Sequence, residues 1–282
     1  MKKGPFFTRY QPALVGAIAF LLCIYIGNIA AQSADEHQFK ISDSPLLRLD
    51  EAKKNWLPIP PPPLSPKRSP IPKSQILTTY EYNVATKAVT RFTLDRTDIP
   101  DAIPKFAVSQ NQPLPLPPPE MSSIVPPDDR IKISPTNEFP WRTICKLYIT
   151  FPNGNHFVAS GAIIGRDDGV GFHCLTAGHC VFRPEFGGWA EKVEVVPALD
   201  NDYTPFYSAW STLIRADSGW VDQGMPEHDW ACITLDRKIG NFTGWMDRYT
   251  TDDLTWYQQI LYAAGYPTDV DFGLSLYYSS DS

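Results

Sequence analysis

The sequence predicts an all-β barrel or sandwich in its C-terminal half, and three observations lead there. From about Pro127 onward, short runs of β-branched and aromatic residues alternate with turn signals. No long stretch in this half carries the amphipathic spacing of a helix. Four of the five cysteines, Cys145, Cys174, Cys180 and Cys232, also fall in it, which marks where an ordered domain lies.

The elements follow in chain order. Trp141 to Thr150 (WRTICKLYIT) is the first candidate strand and runs into the turn Pro152-Asn153-Gly154-Asn155. His156 to Gly165 (HFVASGAIIG) is the second and Gly171 to Thr176 (GFHCLT) the third. Further strands are expected over Lys192 to Leu199, Ala209 to Arg215, Asp229 to Leu235 and Gln259 to Ala264. Evenly spaced short strands of this kind build barrels and sandwiches.

The N-terminal half has a different texture. Lys2, Lys3 and Arg9 precede an apolar stretch from Ala13 to Gly27, and the small-residue cluster Ala30-Ala31-Gln32-Ser33-Ala34 follows. Residues 1–34 therefore read as a signal peptide, with an uncleaved membrane anchor as the alternative. Cys23 would leave with the signal. Residues 32 to about 127 hold 18 of the 28 prolines. Proline runs disfavour helix and central strand, so residues 35–127 read as a largely disordered linker or pro-segment. Within it, Thr78 to Tyr82 and Thr90 to Leu94 could form one hairpin but no core of their own.

Composition narrows the function. A net charge of −6 and a pI near 5.4 argue against a nucleic-acid partner. Eight tryptophans and thirteen tyrosines require a real core, which excludes wholesale disorder. Export would place the domain in an oxidising compartment, secreted, periplasmic or on the cell surface. There the four cysteines could pair in three ways or stay as buried thiols.

Two strings carry chemistry. Leu175-Thr176-Ala177-Gly178-His179-Cys180 ends an apolar strand with two small residues before a histidine. Small residues let the chain turn tightly beneath an imidazole that must be held at the end of a rigid element. In Glu227-His228-Asp229-Trp230-Ala231-Cys232-Ile233-Thr234-Leu235, a carboxylate sits at the mouth of a strand that reads as buried. A carboxylate there needs a partner, and a histidine ring N–H is one.

Taken in order, these strings resemble the His and Asp motifs of the trypsin-like serine proteases. The finer match is to the bacterial glutamyl-endopeptidase branch. Pro127-Asp128-Asp129-Arg130 with Phe139-Pro140-Trp141-Arg142 resembles the start of the mature domain there. Ser160-Gly161-Ala162-Ile163-Ile164-Gly165 resembles the strand before the histidine. Ile239 to Trp245 (IGNFTGW) and Gly265-Tyr266-Pro267 resemble segments after the aspartate. The likeness covers about residues 127 to 282. It implies a chymotrypsin-like double β-barrel over 128–282, with the second barrel incomplete. It also implies His179 as general base and acid, Asp229 as its orienting partner, polypeptide substrates, a monomer, and no cofactor or metal. Membrane contact would come only through an uncleaved signal.

The sequence departs from that family in two places. No G-x-S-G nucleophile motif occurs, and Ser160 reads as structural, so two of three triad members are visible. The alternative to a serine endopeptidase is a catalytically inactive, protease-like binding protein or a remnant lacking the nucleophile. The family often pairs the cysteine after the histidine with one in the preceding strand, where Val158-Ala159-Ser160-Gly161 offers none. His228 reads as a rim residue, His156 and His173 as ordinary strand residues.

Overall fold

The turn at Pro152 to Asn155 folds as its residues dictate. Gly154 takes φ +84°, its N–H donates to the Phe151 carbonyl at 2.9 Å, and Phe151 N–H donates to the Asn155 carbonyl at 3.0 Å. The strands it joins start the barrel. The structure is a computed structural model that describes residues 23–24, 50–60, 76–95, 128–165, 172–246 and 262–280.

Fifteen strands are described. Ahead of the barrel lie β1 (Cys23–Ile24), β2 (Leu57–Pro58), β3 (Ile76–Asn83), β4 (Val89–Asp95) and β5 (Ile131–Lys132). Next come β6 (Ile144–Thr150), β7 (His156–Ile164), β8 (His173–Thr176), β9 (Phe182–Arg183) and β10 (Gly188–Trp189). The series ends with β11 (Lys192–Pro197), β12 (Ala209–Asp217), β13 (Ala231–Leu235), β14 (Tyr262–Gly265) and β15 (Tyr277–Ser280). Two short helices, α1 (Ser218–Gln223) and α2 (Gly240–Thr243), interrupt them.

The all-β expectation holds. Six strands pair antiparallel in the order β11-β6-β7-β8-β13-β12, and β11 closes on β12 through Glu194 opposite Trp210 and Val195 opposite Ala209. Over these pairs closure covers the edges of both strands. Leu147, Ile149, Ile163, Val193, Val195, Ile214 and Ile233 fill the interior and are fully buried. Alternate residues of β6 face the other way. Ile144 and Tyr148 pack with Tyr266 and Leu276, which flank strands of the second sheet, so β6 is buried on both faces, Lys146 included.

The second sheet has the order β1-β14-β15-β5 and does not close among the described residues. The side chain of Ser160 on β7 ties it to the barrel by accepting the Tyr266 N–H at 2.9 Å. That is the structural role the sequence suggested. At its N-terminal edge Arg130 bridges Asp128 at 2.8 Å and Asp269 at 2.7 Å.

Some element bounds differ from expectation. Trp141–Thr143 is a 3-10 turn rather than strand, with the Thr143 N–H donating to the Pro140 carbonyl at 3.0 Å. β12 runs two residues further than expected, to Asp217. The N-terminal part of the last expected strand lies outside the described residues.

The larger departure concerns residues 35–127. The hairpin β3–β4 does form, but it belongs to the barrel's sheet: β3 pairs with β12 from Thr79 opposite Asp217 to Asn83 opposite Leu213. Residues 50–60 also lie on the barrel, with β2 parallel to β7. The rest of 35–127 lies outside the described residues, as does the signal reading of 1–34 apart from Cys23–Ile24. Among the described residues no helix is long and apolar enough to cross a membrane.

Candidate active site

The barrel register brings the two strings together. β8 and β13 are antiparallel neighbours with Thr176 opposite Ala231. The chain leaving β8 and the chain entering β13 therefore meet at the same rim. His179 sits in the 3-10 turn Gly178–Cys180, reached through extended Ala177. Asp229 follows the 3-10 turn Pro226–His228.

The Asp229 carboxylate, 3% exposed, accepts twice from one residue. Oδ1 takes the backbone N–H of His179 at 2.6 Å, and Oδ2 takes the ring Nδ1–H at 2.7 Å. An ionised carboxylate only accepts, so in the neutral ring this contact fixes the proton on Nδ1 and leaves Nε2 as the working nitrogen. Burial of the ring opposes its protonation. The adjacent Cys180 sulfur and the Asp229 carboxylate outweigh that and lift the His179 pKa to about 10.

The small residues before His179 have a concrete reason. A Cβ on Gly178 would lie 2.7 Å from Trp220 Cδ1 and 3.1 Å from Asp229 Oδ1. Trp220 of α1 is buried, donates its indole N–H to the Phe182 carbonyl at 3.1 Å, and meets the His179 ring edge-on at 6.3 Å.

A second histidine–carboxylate pair stands beside the first. His228 Nδ1 lies 2.7 Å from Asp217 Oδ1, and Asp217, 2% exposed, also accepts the Gly219 N–H at 2.7 Å as the cap of α1. His228 is thus a half-buried bracing residue rather than a bare rim residue. The cap signature Asp217-Ser218-Gly219 was a readable signal for Asp217, though its ring partner was not. His156 and His173 lie on β7 and β8 as expected; His156 stacks on Trp56 at 4.4 Å.

No disulfide joins the four cysteines of the domain; all are thiols. Cys145, Cys174 and Cys180 are buried. Cys145 and Cys174 come together across Gly161, where a Cβ would lie 2.7 Å from the Cys174 Sγ. Hydrogen bonding to Cys145 and then burial raise the Cys174 thiol well above its ordinary pKa.

No family model matches the chain. It is 30% identical over 154 residues to a glutamyl endopeptidase of Bacillus licheniformis, covering 54% of this chain and 45% of that protein. It is 29% identical over 153 residues to a protein of Bacillus subtilis named extracellular metalloprotease, covering 54% and 47%. The chain therefore spans about half the length of the curated relatives it matches. Among solved structures, a Glu endopeptidase in complex with MPD is 27% identical, with a TM-score of 0.47 over 56% of this chain and 69% of that one. The protease Anisep from Arthrobacter nicotinovorans is 22% identical, with a TM-score of 0.45 over 54% and 66%. The metal in one relative's name finds no counterpart among the described residues, where no three His, Cys, Asp or Glu side chains could share an ion. Its curated relatives include a glutamyl endopeptidase, a serine protease by type.

Proposed function

We propose that this relative of the glutamyl endopeptidases contributes the histidine and aspartate of a Ser-His-Asp triad to a secreted serine endopeptidase. The observation that carries the reading is the double contact of Asp229 with His179. With Nδ1–H held by the carboxylate, the ring in its neutral form takes on Nε2 the proton of a serine hydroxyl as its oxygen attacks a peptide carbonyl. The imidazolium then returns that proton to the leaving amine. Water repeats the cycle on the acyl-enzyme. Asp229 keeps the tautomer and offsets the imidazolium charge.

The serine is not recognisable among residues 1–282, since no G-x-S-G occurs in them. The substrates are polypeptides, and cleavage after acidic residues is suggested by the relative's name alone. Export is supported by the basic and apolar layout of residues 1–34 and by the word extracellular in a relative's name.

The test begins with the coding DNA past the codon for Ser282. The protein it encodes is then treated with a serine-directed phosphonate. The expected result is labelling of one serine that His179→Ala abolishes. Labelling that persists in that variant overturns the assignment of His179.

A further inference from the structure

The stretch that reads as a tether is bound to the barrel at both of its described parts. In residues 50–60, Lys53 forms an ion pair with Glu194 of β11. Glu194 is 6% exposed, and Lys53 is its ion-pair partner among the described residues. The same ammonium lies 5.5 Å from the Tyr148 ring and 5.6 Å from the Trp210 ring. Trp56 stacks on His156 and meets Tyr148 edge-on at 5.7 Å. Ile59, nearly buried, donates its N–H to the Val158 carbonyl at 3.0 Å, and Arg183 donates to the Pro60 carbonyl.

The hairpin β3–β4 is attached more firmly. Five residue pairs join β3 to β12, and Val84 N–H donates to the Thr212 carbonyl at 3.0 Å. Tyr82, 5% exposed, stacks on Trp189 at 5.5 Å and 6°. Glu81 pairs with Arg215, and Lys87 with Glu191 at 2.5 Å. Tyr80 Oη reaches Asp222 of α1 at 3.3 Å, so the hairpin also braces the helix whose Trp220 lies against His179.

Removing this segment would strip Glu194 on β11 of its cation and would open the Leu213–Asp217 part of β12 as a bare strand edge. It would also uncover Trp189 and Tyr148. A passive spacer or a pro-segment that dissociates after scission would not be built into the sheet in this way.

We propose that residues 50–60 and 76–95 are permanent straps of the first barrel, so that scission anywhere between Asp95 and Asp128 yields a two-chain protein. The inference rests on these contacts alone and is independent of catalysis. The strand ladder supplies most of the hold, and the Lys53–Glu194 pair fixes the other end.

The experiment uses the full chain with a recognition sequence for a site-specific protease inserted between Ser109 and Gln110. Scission is taken to completion by denaturing electrophoresis, and the product is then run on a native sizing column. The expected result is one peak holding both fragments, with the tryptophan emission of the uncut chain. Elution of the N-terminal fragment by itself overturns the proposal, whatever becomes of the remainder. In a chain carrying Tyr82→Ala and Lys53→Glu, the cut fragment should dissociate faster by about tenfold or more. An unchanged dissociation rate would show that the strap contacts do not hold the fragment, and would equally overturn it.

Discussion

Asp229 holds His179 at both its backbone and its ring, with contacts of 2.6 and 2.7 Å from the two oxygens of one buried carboxylate. The geometry couples the position of the turn to the tautomer of the imidazole. Asp229→Ala leaves two donors unsatisfied, and the fold should lose about 2–4 kcal/mol, measured as the urea midpoint at neutral pH.

The pH dependence of that pair has a defined sign. Cys180 and Asp229 together raise the His179 pKa from 6.5 to about 10, so their joint contribution to stability is fully present below pH 6.5 and is lost as pH rises through about 10. Asp229→Asn and Cys180→Ala should each lower the His179 pKa in an NMR titration of the ring. An unmoved value in Cys180→Ala would show that the neighbouring sulfur does not act on it.

How much of this was legible in the sequence depends on the distance over which a residue's partner lies. The barrel strands could be read because their apolar pattern is local. His179 and Asp229 were found because each sits at a strand end with a distinctive neighbour: two small residues for one, a buried run for the other. The hairpin β3–β4 was seen as a hairpin but not as barrel sheet. Its place is set by the pairing of β3 with β12, more than 130 residues away along the chain, and by Tyr82 on Trp189. Nothing local announces either. Trp220 and Asp217 escaped notice for the same reason, since what they support is assembled only when α1 packs beside the two turns.

Gly178 tests whether the site is packed as tightly as its geometry implies. A methyl group there would meet Trp220 at 2.7 Å and crowd Asp229 Oδ1 at 3.1 Å. Neither can retreat without cost, because the indole is anchored to Phe182 and the carboxylate to His179. Gly178→Ala should destabilise by about 1–3 kcal/mol and shift the Trp220 fluorescence.

The second pair braces the first. His228 and Asp217 hold the Pro226–His228 turn against α1, and Met225 N–H donates to the Gly219 carbonyl at 3.1 Å. His228→Ala leaves the buried Asp217 with the Gly219 N–H, so stability should fall by about 1–2 kcal/mol. Because Asp229 follows that turn directly, the His179 ring resonances should also shift. Unchanged ring resonances would confine His228 to local stability.

Thiol chemistry discriminates among the four cysteines. Cys145, Cys174 and Cys180 are 0%, 0% and 3% exposed, whereas Cys232 on β13 is partly exposed. A thiol reagent should modify Cys232 first in the native protein and the other three only on unfolding. A missing thiol in the denatured titration would reveal a disulfide instead.

Lys146 gives the sharpest test of the interface between the barrel and the second sheet. It is 1% exposed on β6, its ammonium lies 5.8 Å from the Tyr266 ring, and it has no hydrogen-bond partner among the described residues. Burial lowers its pKa to about 7, against an ordinary 10.5, with Asp271 opposing the fall. A lysine depressed in the folded state destabilises the fold fully below pH 7. The penalty shrinks as pH rises and is gone by about 10.5. Methionine has a similar length and no charge to desolvate. Lys146→Met should therefore gain roughly 2–4 kcal/mol at pH 6 and nothing at high pH, read from denaturant melts across that range. A gain that did not vary with pH would locate the effect in packing rather than in the buried charge.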